Sequence, residues 1–169
     1  MAQYNLFQRF GQKIFSTRPG SWFAARTFHH LDRAAFRLSG GRWTAVGYVS
    51  GLPTVVLTST GAKSGQPRLT PLVGILDPAN PKRIALIASN YGQDHHPGWY
   101  YNLKANPHVH CAIDEADGAY LAHEASSEEY ALFWQRACEV YPGYPLYKKR
   151  AGQRRIPIMV LEAEPESRS

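Results

Sequence analysis

The sequence predicts an α+β protein in which about six short strands form a mainly antiparallel sheet that closes on itself, with helices packed outside it. Two observations carry this prediction. From Trp43 onward, apolar residues recur with strand period in six short runs, and only two helical stretches interrupt them. Before Trp43, apolar residues recur with helical spacing among arginines and lysines. We therefore expect a helical leader over residues 1–42 and a barrel-forming domain over residues 43–169.

The leader is basic and amphipathic. It holds seven of the 19 lysines and arginines and one acidic residue, Asp32, so the net charge of +6 lies entirely within it. Its two predicted helices, residues 4–15 and 21–38, carry aromatic residues along an apolar stripe. Such helices are typical of segments that contact an anionic membrane surface peripherally or that pack over an apolar site, and the residues leave both roles open. No recognition motif accompanies them, so nucleic acid is not an expected partner.

The elements of the barrel domain are expected in a fixed order. Two helices are predicted: residues 99–105, which Asn106-Pro107 stops, and residues 127–140, which Ser126 or Ser127 caps. Turns are expected at residues 77–82 (DPANPK) and 114–118 (DEADG). The predicted strands cover residues 54–60, 68–76, 84–89, 109–113, 120–125 and 156–162.

Composition excludes several classes of protein. No apolar run is long enough to cross a bilayer and no secretory signal is evident, so we expect a cytoplasmic protein, with peripheral contact at the cytoplasmic membrane face as a variant. Cys111 and Cys138 form no CxxC pattern and are expected to be buried thiols. No metal site is expected, because the histidines lack HExxH or clustered Cys/His spacing. The absence of GxSxG and GxGxxG leaves hydrolase and Rossmann-type nicotinamide functions without support.

A cationic turn is predicted between the first two strands of the domain. The sequence GAKSG places backbone N–H groups, the Ser64 hydroxyl and the cations of Lys63 and Arg68 around one small volume. This arrangement suits an anionic group such as a phosphate. An ordinary solvated hairpin is the alternative, because the turn lacks the full GxxxxGK[ST] pattern and precedes a strand instead of a helix.

A tyrosine-rich segment follows the second helix. The sequence YPGYPLY spaces Tyr141, Tyr144 and Tyr147 three residues apart, so the rings would line one side of an irregular or helical segment. Over a planar ligand they could stack and donate a hydrogen bond or a proton. The alternative is a surface loop pinned by its own tyrosines. No acid–base pair is evident nearby, and this absence fits hydride transfer by a bound cofactor.

Four strings together resemble the deazaflavin-dependent nitroreductase family, the A branch of the split-barrel flavin and deazaflavin oxidoreductases. They are TSTGAKSGQPRLTPL, IASNYG, HPGWYYNLKANP and YPGYPLYKKRAGQRRIPIMVLE, in the expected order between residues 50 and 163. The resemblance implies a split β-barrel that binds coenzyme F420, a deazaflavin with a phospholactyl and polyglutamate tail. It further implies hydride transfer from F420H2 to a small planar apolar acceptor, a quinone or a nitroaromatic compound.

The resemblance also assigns site residues. It places Ser89 where it would position the reacting oxygen, Tyr144 over the ring, and Tyr141 and Tyr147 along the acceptor pocket. Two departures weaken the expected grip on the tail: Ala62 stands where the family often has arginine, and Asn90 where some members have lysine. The cofactor-binding set comprises Ala62, Lys63, Ser64 and Arg68 for the tail; Leu69, Thr70, Pro71, Leu72, Val73, Ile87, Ala88, Ser89 and Asn90 for the ring; and Gly98, Trp99, Tyr100, Tyr101 and Asn102, which close the site.

Two other functions stay open at this point. One is a peripheral membrane protein that binds F420 or a lipid without turnover. The other is an FMN-dependent oxidase built on the same barrel. The sequence carries no signal for the physiological acceptor or for the oligomeric state.

Overall fold

The computed structural model describes residues 52–113 and 116–165, and the predicted leader over residues 1–42 lies outside them. Within this part of the chain there are six strands, three α-helices and one 3-10 turn. The strands are β1 (Thr54–Thr60), β2 (Pro67–Asp77), β3 (Asn80–Ile87), β4 (His108–Ile113), β5 (Ala116–Glu124) and β6 (Ile158–Ala163). The helices are α1 (Gly98–Ala105), α2 (Ser127–Val140) and α3 (Gly143–Ala151), and the 3-10 turn is Asn90–Gly92.

The strands close into a barrel in the order β1-β2-β3-β6-β5-β4, and β4 pairs with β1. Each neighbouring pair is antiparallel. The predicted antiparallel sheet that closes on itself is therefore confirmed. The predicted bounds of β1 and α2 agree with the structure, and those of the other strands differ by one to four residues.

Two predicted turns are shorter than expected. The Ala79 N–H donates a 3.0 Å hydrogen bond to Asp77 Oδ1 and reverses the chain at once, so β3 begins at Asn80 and includes Pro81. Similarly, β5 begins at Ala116, so Gly118 is a strand residue instead of a turn residue. Proline is tolerated at Pro81 because the position lies at the exposed beginning of the strand.

The barrel interior is filled by alternate side chains of its strands. Val55 and Leu57 of β1 are completely buried there and face Ile84 and Leu86 of β3. Helix α1 closes one end, since its Trp99 and Leu103 pack into the same cluster. The interior is thus a packed core, and a ligand is expected on the outside of the barrel.

A second core lies between the barrel and the helices α2 and α3. Phe133 and Ala137 of α2 are completely buried against Ile158 and Val160 of β6. Helix α2 begins with a capping box, in which the side chain of Ser126 accepts from the Glu129 N–H and the side chain of Glu129 accepts from the Ser126 N–H. None of the helices in residues 52–113 and 116–165 combines the length and apolar character that a bilayer-spanning helix needs.

Helix α3 resolves the ambiguity of the tyrosine-rich segment, which was predicted to be irregular or helical. It follows α2 after two residues, and this tight connection requires glycine at Gly143. A Cβ there would lie 2.2 Å from a ring carbon of Tyr141, so any larger residue would displace that ring.

Candidate functional site

The turn between β1 and β2 presents its cations to solvent. Gly65, with φ of 65°, donates a 2.8 Å hydrogen bond to the Gly61 carbonyl and closes the turn. Lys63, Ser64 and Arg68 are exposed, and Arg68 Nη2 donates to Ser64 Oγ over 3.4 Å. Neither Lys63 nor Arg68 forms an ion pair with a carboxylate among the described residues. The structure therefore places the predicted tail residues together and leaves their charges available for an anion.

Helix α1 holds this turn in place through Asn102. Its side-chain oxygen accepts a 3.0 Å hydrogen bond from the Ala62 N–H, and its side-chain nitrogen donates to Ser59 Oγ over 3.2 Å. Asn102 and Ala62 belong to the predicted cofactor-binding set. In the structure they contact each other, so the side chain of Asn102 fixes the backbone of the turn.

The predicted ring-binding residues of β2 divide between the two faces of the strand. Leu69, Pro71 and Val73 are half-buried on the outer face, and Val73 packs against the core beneath α2 and α3. Thr70 pairs with Leu57 and Leu72 packs into the barrel interior, so their side chains point away from the outer face. The outer face of β2 therefore offers an apolar strip, and Thr70 and Leu72 could reach a ligand there only through their backbone.

The segment after β3 buries Ser89 at a bend. Ile87 packs outside the barrel and Ala88 inside it. Ser89 is 8% exposed, and its hydroxyl does not cap the 3-10 turn that follows, so it is not engaged by that turn. Asn90 donates from its side-chain nitrogen to the His95 carbonyl over 3.0 Å, which fixes it within the loop. Tyr91 has φ of 56°, a left-handed conformation that aromatic residues rarely adopt.

The residues of α1 that the resemblance assigns to the site differ in how far they are exposed. Gly98 is exposed and Trp99 belongs to the barrel core. Tyr100 is half-buried and donates a 3.0 Å hydrogen bond to Glu124 Oε2, whereas Tyr101 is 50% exposed. Of this group, Tyr101 is the side chain most available to a ligand.

The three predicted tyrosines form one buried cluster. Their ring centroids lie 5.4 to 6.2 Å apart, and the hydroxyls of Tyr141 and Tyr147 are 3.0 Å from each other. Tyr91, which was not predicted, stacks edge-on against Tyr147 at 5.9 Å. Burial raises the pKa of Tyr141, Tyr144 and Tyr147, so these hydroxyls stay protonated near neutral pH. Their place in the core supports a packing role, and their role at an acceptor pocket stays a prediction.

Two site residues went unrecognised in the sequence. Arg154, between α3 and β6, donates a 2.7 Å hydrogen bond to the Ser89 carbonyl and contacts His96 Nδ1 at 2.9 Å. His96 in turn lies against the rings of Tyr100 and Tyr101. The only sequence signal was a pair of adjacent arginines before a buried strand, and nothing distinguished Arg154 from Arg155.

These contacts connect the predicted groups into one region. The turn is tied to α1 by Asn102, and α1 contacts His96 through Tyr100. Arg154 joins His96 to Ser89, and the 3-10 turn after Ser89 reaches the tyrosine cluster. The cationic turn, His96, Ser89 and the tyrosine cluster are thus linked by a chain of contacts.

The cysteines are not part of this region's chemistry. Cys111 is buried in the barrel interior, and burial raises the pKa of its thiol to about 12, which makes it a poor nucleophile. Cys138 is half-buried on α2 and its pKa is also raised by burial. Cys111 is buried as predicted, whereas Cys138 is less buried than expected.

One cluster among the described residues has the donor atoms of a metal site: His123, Glu129 and Glu162 lie close together. Arg83, however, pairs with Glu129 and with Glu162 Oε1, the latter over 3.3 Å. The guanidinium already supplies a positive charge to these carboxylates. We assign no metal to this cluster.

The closed six-stranded antiparallel barrel with helices packed on its outside is the fold of the split-barrel oxidoreductases. Residues 29–163 match the family model described as F420H(2)-dependent quinone reductase, and the chain belongs to this family. Coenzyme F420 is accordingly its cofactor.

Individual relatives agree with the family assignment. The F420H(2)-dependent quinone reductase Rv1261c of Mycobacterium tuberculosis is 35% identical over 136 residues, which cover 78% of this chain and 87% of the relative. The solved structure of an F420-H2 dependent reductase, FDR-A, is 37% identical with a TM-score of 0.59, covering 65% of this chain and 94% of that one. A solved structure described as a domain-swapped dimer is 32% identical with a TM-score of 0.61, covering 85% of this chain and 99% of that one.

Proposed function

We propose that this protein reduces a quinone with F420H2 and that the cofactor lies along the outer face of β2. The observation that supports this placement most directly is the turn at Lys63 and Arg68, whose cations have no carboxylate partner among the described residues. The tail of F420 carries phosphate and carboxylate groups, and charge-assisted hydrogen bonds from these side chains would hold it. The apolar strip of Leu69, Pro71 and Val73 would then lie beside the ring.

When bound, reduced F420 supplies the hydride, and the protein supplies orientation and a dry environment. Ser89 sits at the end of β3 with a hydroxyl that the following turn does not use, so it could donate to an acceptor carbonyl oxygen. The tyrosine hydroxyls would stay protonated, and because those of Tyr141 and Tyr147 already bond to each other, these side chains would line the acceptor pocket with their rings. Quinone reduction also consumes one proton, for which solvent near the exposed Tyr101 is a sufficient source.

The acceptor is proposed to be a lipid-soluble quinone that the enzyme meets at a membrane. The leader, residues 1–42, carries the whole net charge of +6 together with aromatic residues, the composition of a peripheral membrane contact. Sedimentation with anionic and with neutral vesicles, for the full chain and for a chain starting at Trp43, tests this proposal. Salt-sensitive pelleting of the full chain alone is expected. Equal pelleting of both chains, or of neither, contradicts it.

The test of the main proposal is a titration of F420 fluorescence followed by F420H2 oxidation with menadione as acceptor. We expect saturable quenching and menadione-dependent oxidation. Saturable binding without oxidation would favour the non-catalytic binding protein. A protein that purifies yellow with a flavin spectrum would favour the FMN-dependent oxidase.

A further inference from the structure

Arg154 joins parts of the chain that are far apart in sequence. Its Nη2 donates to the Ser89 carbonyl at 2.7 Å, its Nε to the Gln93 carbonyl at 2.8 Å, and its Nη1 to the Ala88 carbonyl at 3.3 Å. These carbonyls bracket the 3-10 turn that follows Ser89. One guanidinium therefore holds both ends of the segment that presents the Ser89 hydroxyl.

The backbone of that segment is in a conformation that non-glycine residues rarely adopt. Asn90 and Tyr91 both have positive φ, of 46° and 56°. Gly92, with φ of 79°, lies so close to α3 that a Cβ would be 2.7 Å from the Tyr147 carbonyl. Successive left-handed residues persist only where the surroundings fix them, and Arg154 supplies several of the fixing contacts.

The contact between Arg154 and His96 depends on protonation. Arg154 Nη1 is a donor, so His96 Nδ1, 2.9 Å away, must be the acceptor and must carry no proton. The other groups near His96 are the rings of Tyr100 and Tyr101, the carboxylate of Glu124 and the imidazole of His95. Burial, with the charges of Arg154 and His95, lowers the pKa of His96, and Glu124 opposes them.

We propose that Arg154 is a positioning residue for the hydride transfer, which orients Ser89 only while His96 is unprotonated. The inference rests on the proposed function and adds a residue pair and a proton dependence to it. A protonated His96 would lose its acceptor lone pair and repel the guanidinium. The 3-10 turn would then loosen, and the Ser89 hydroxyl would lose its fixed place beside the acceptor.

Substitution of Arg154 tests the positioning role. We expect Arg154→Met to lower kcat with menadione about 10-fold or more per folded molecule, because misplacement of a reacting group by about 1 Å costs this much or more. The dissociation constant of F420 should change by less than about threefold, because the tail contacts lie elsewhere. Arg154→Lys keeps the charge without the forked donor geometry and should recover only part of kcat. Arg155→Met is the matched control, since Arg155 is exposed over Tyr130, and should leave kcat unchanged.

The proton dependence is tested at His96. His96→Asn keeps an acceptor near the Nδ1 position but does not titrate in this range. We expect kcat of the wild type and of the control His95→Asn to fall as the pH drops below the ordinary histidine pKa of 6.5, and kcat of His96→Asn to stay level. If kcat falls equally at low pH in all three proteins, the inference is overturned. It is also overturned if kcat of Arg154→Met equals that of the wild type.

A readout without cofactor separates this inference from the proposed function. In the cofactor-free protein, NMR titration should give His96 a higher pKa in Arg154→Met than in the wild type, because a nearby cation is removed. The amides of Gly92 and Gln93, which donate to Ser89 and Asn90, should exchange faster with solvent deuterium. If neither the pKa of His96 nor these exchange rates change, the inference is overturned, even if the protein binds F420 and reduces menadione. A wild type that neither binds F420 nor reduces menadione overturns the proposed function instead.

Discussion

The side-chain oxygen of Asn102 accepts a 3.0 Å hydrogen bond from the backbone N–H of Ala62, forty residues earlier in the chain. The same side chain donates to Ser59, so α1 and the cationic turn form one unit. Asn102 was predicted to close the site over the cofactor. That role stays a prediction, and the contacts add a second one, support of the cationic turn, which can be measured.

The first prediction concerns Asn102→Ala, which removes both hydrogen bonds. We expect it to weaken F420 binding by about 1 kcal/mol, the net value of a typical hydrogen bond, because the turn loses its support. Binding of the deazaflavin chromophore without the phospholactyl and polyglutamate tail should be unaffected. Fluorescence titrations with both ligands measure the difference. Equal losses for the two ligands would mean that Asn102 contacts the ring directly.

A second prediction concerns the charges of the turn. Lys63→Ala and Arg68→Ala should each weaken F420 binding by roughly 1.5–3 kcal/mol, as expected for a charge-assisted hydrogen bond. The loss should shrink at high salt, since these side chains are exposed. Lys82→Ala is the matched control, because Lys82 is an exposed lysine near the beginning of β3, away from this turn. If Lys63→Ala and Arg68→Ala bind F420 like the control, the turn is an ordinary hairpin.

A third prediction concerns Tyr144, which the resemblance places over the ring. The side chain is 5% exposed and packs between Tyr141 and Trp134. We therefore expect Tyr144→Ala to lower the free energy of unfolding by about 3–5 kcal/mol, the cost of truncating a buried aromatic residue. Tyr144→Phe keeps the ring and isolates the hydroxyl. Urea denaturation of both variants, with turnover per folded molecule, separates packing from chemistry, and a fully stable Tyr144→Ala would contradict the packing role.

A fourth prediction concerns stability in acid. Burial acts to raise the pKa of Glu129, but the Ser126 backbone N–H, His123 and Arg83 outweigh it and hold the pKa below its ordinary value of 4.5. A carboxyl group with a lowered folded pKa contributes stability that is fully present above its unfolded pKa and is lost as the pH falls through the folded one. Glu129→Gln keeps the capping box and should be less stable near neutral pH but lose less stability on acidification.

Chemical denaturation at neutral pH and at about pH 3 measures this difference. Glu128→Gln is the control, because Glu128 lies in the same first turn but is exposed. Parallel stability curves for wild type and Glu129→Gln would show that the contacts of Glu129 with Arg83 and His123 contribute nothing to acid sensitivity.

The fold could be predicted closely wherever local chemistry decides it. β1 begins and ends as expected because its apolar β-branched run is bounded by Pro53 and Gly61, and α2 because of its capping box. The bounds failed where proline or glycine was taken as a sign of a turn, as at Gly118 of β5. Pro81 lies at the beginning of β3, and Pro145 lies in the first turn of α3, where its missing N–H has no intrahelical partner.

Only the parts of the site that are formed by residues close together in the sequence could be predicted. The turn at Lys63 and the spacing of the tyrosines are local patterns, and both groups are assembled in the structure. The bond between Arg154 and Ser89 spans 65 residues and depends on how β3 and β6 are paired. Nothing near Arg154 in the sequence reports this pairing, and so Arg154 and Arg155 were indistinguishable.

The alternation of side chains along β2 has a consequence for anyone who redesigns this enzyme. Leu69 and Pro71 face outward and belong to neither core, so a library at these two positions should vary the proposed ligand-binding surface while sparing the fold. Residues 70, 72 and 74 face inward, and at Gly74 even a methyl group would come within 2.5 Å of Val55. On this strand, ligand selectivity should depend on the outward side chains near the cationic turn, whereas folding depends on the inward ones. The two properties could therefore be varied separately.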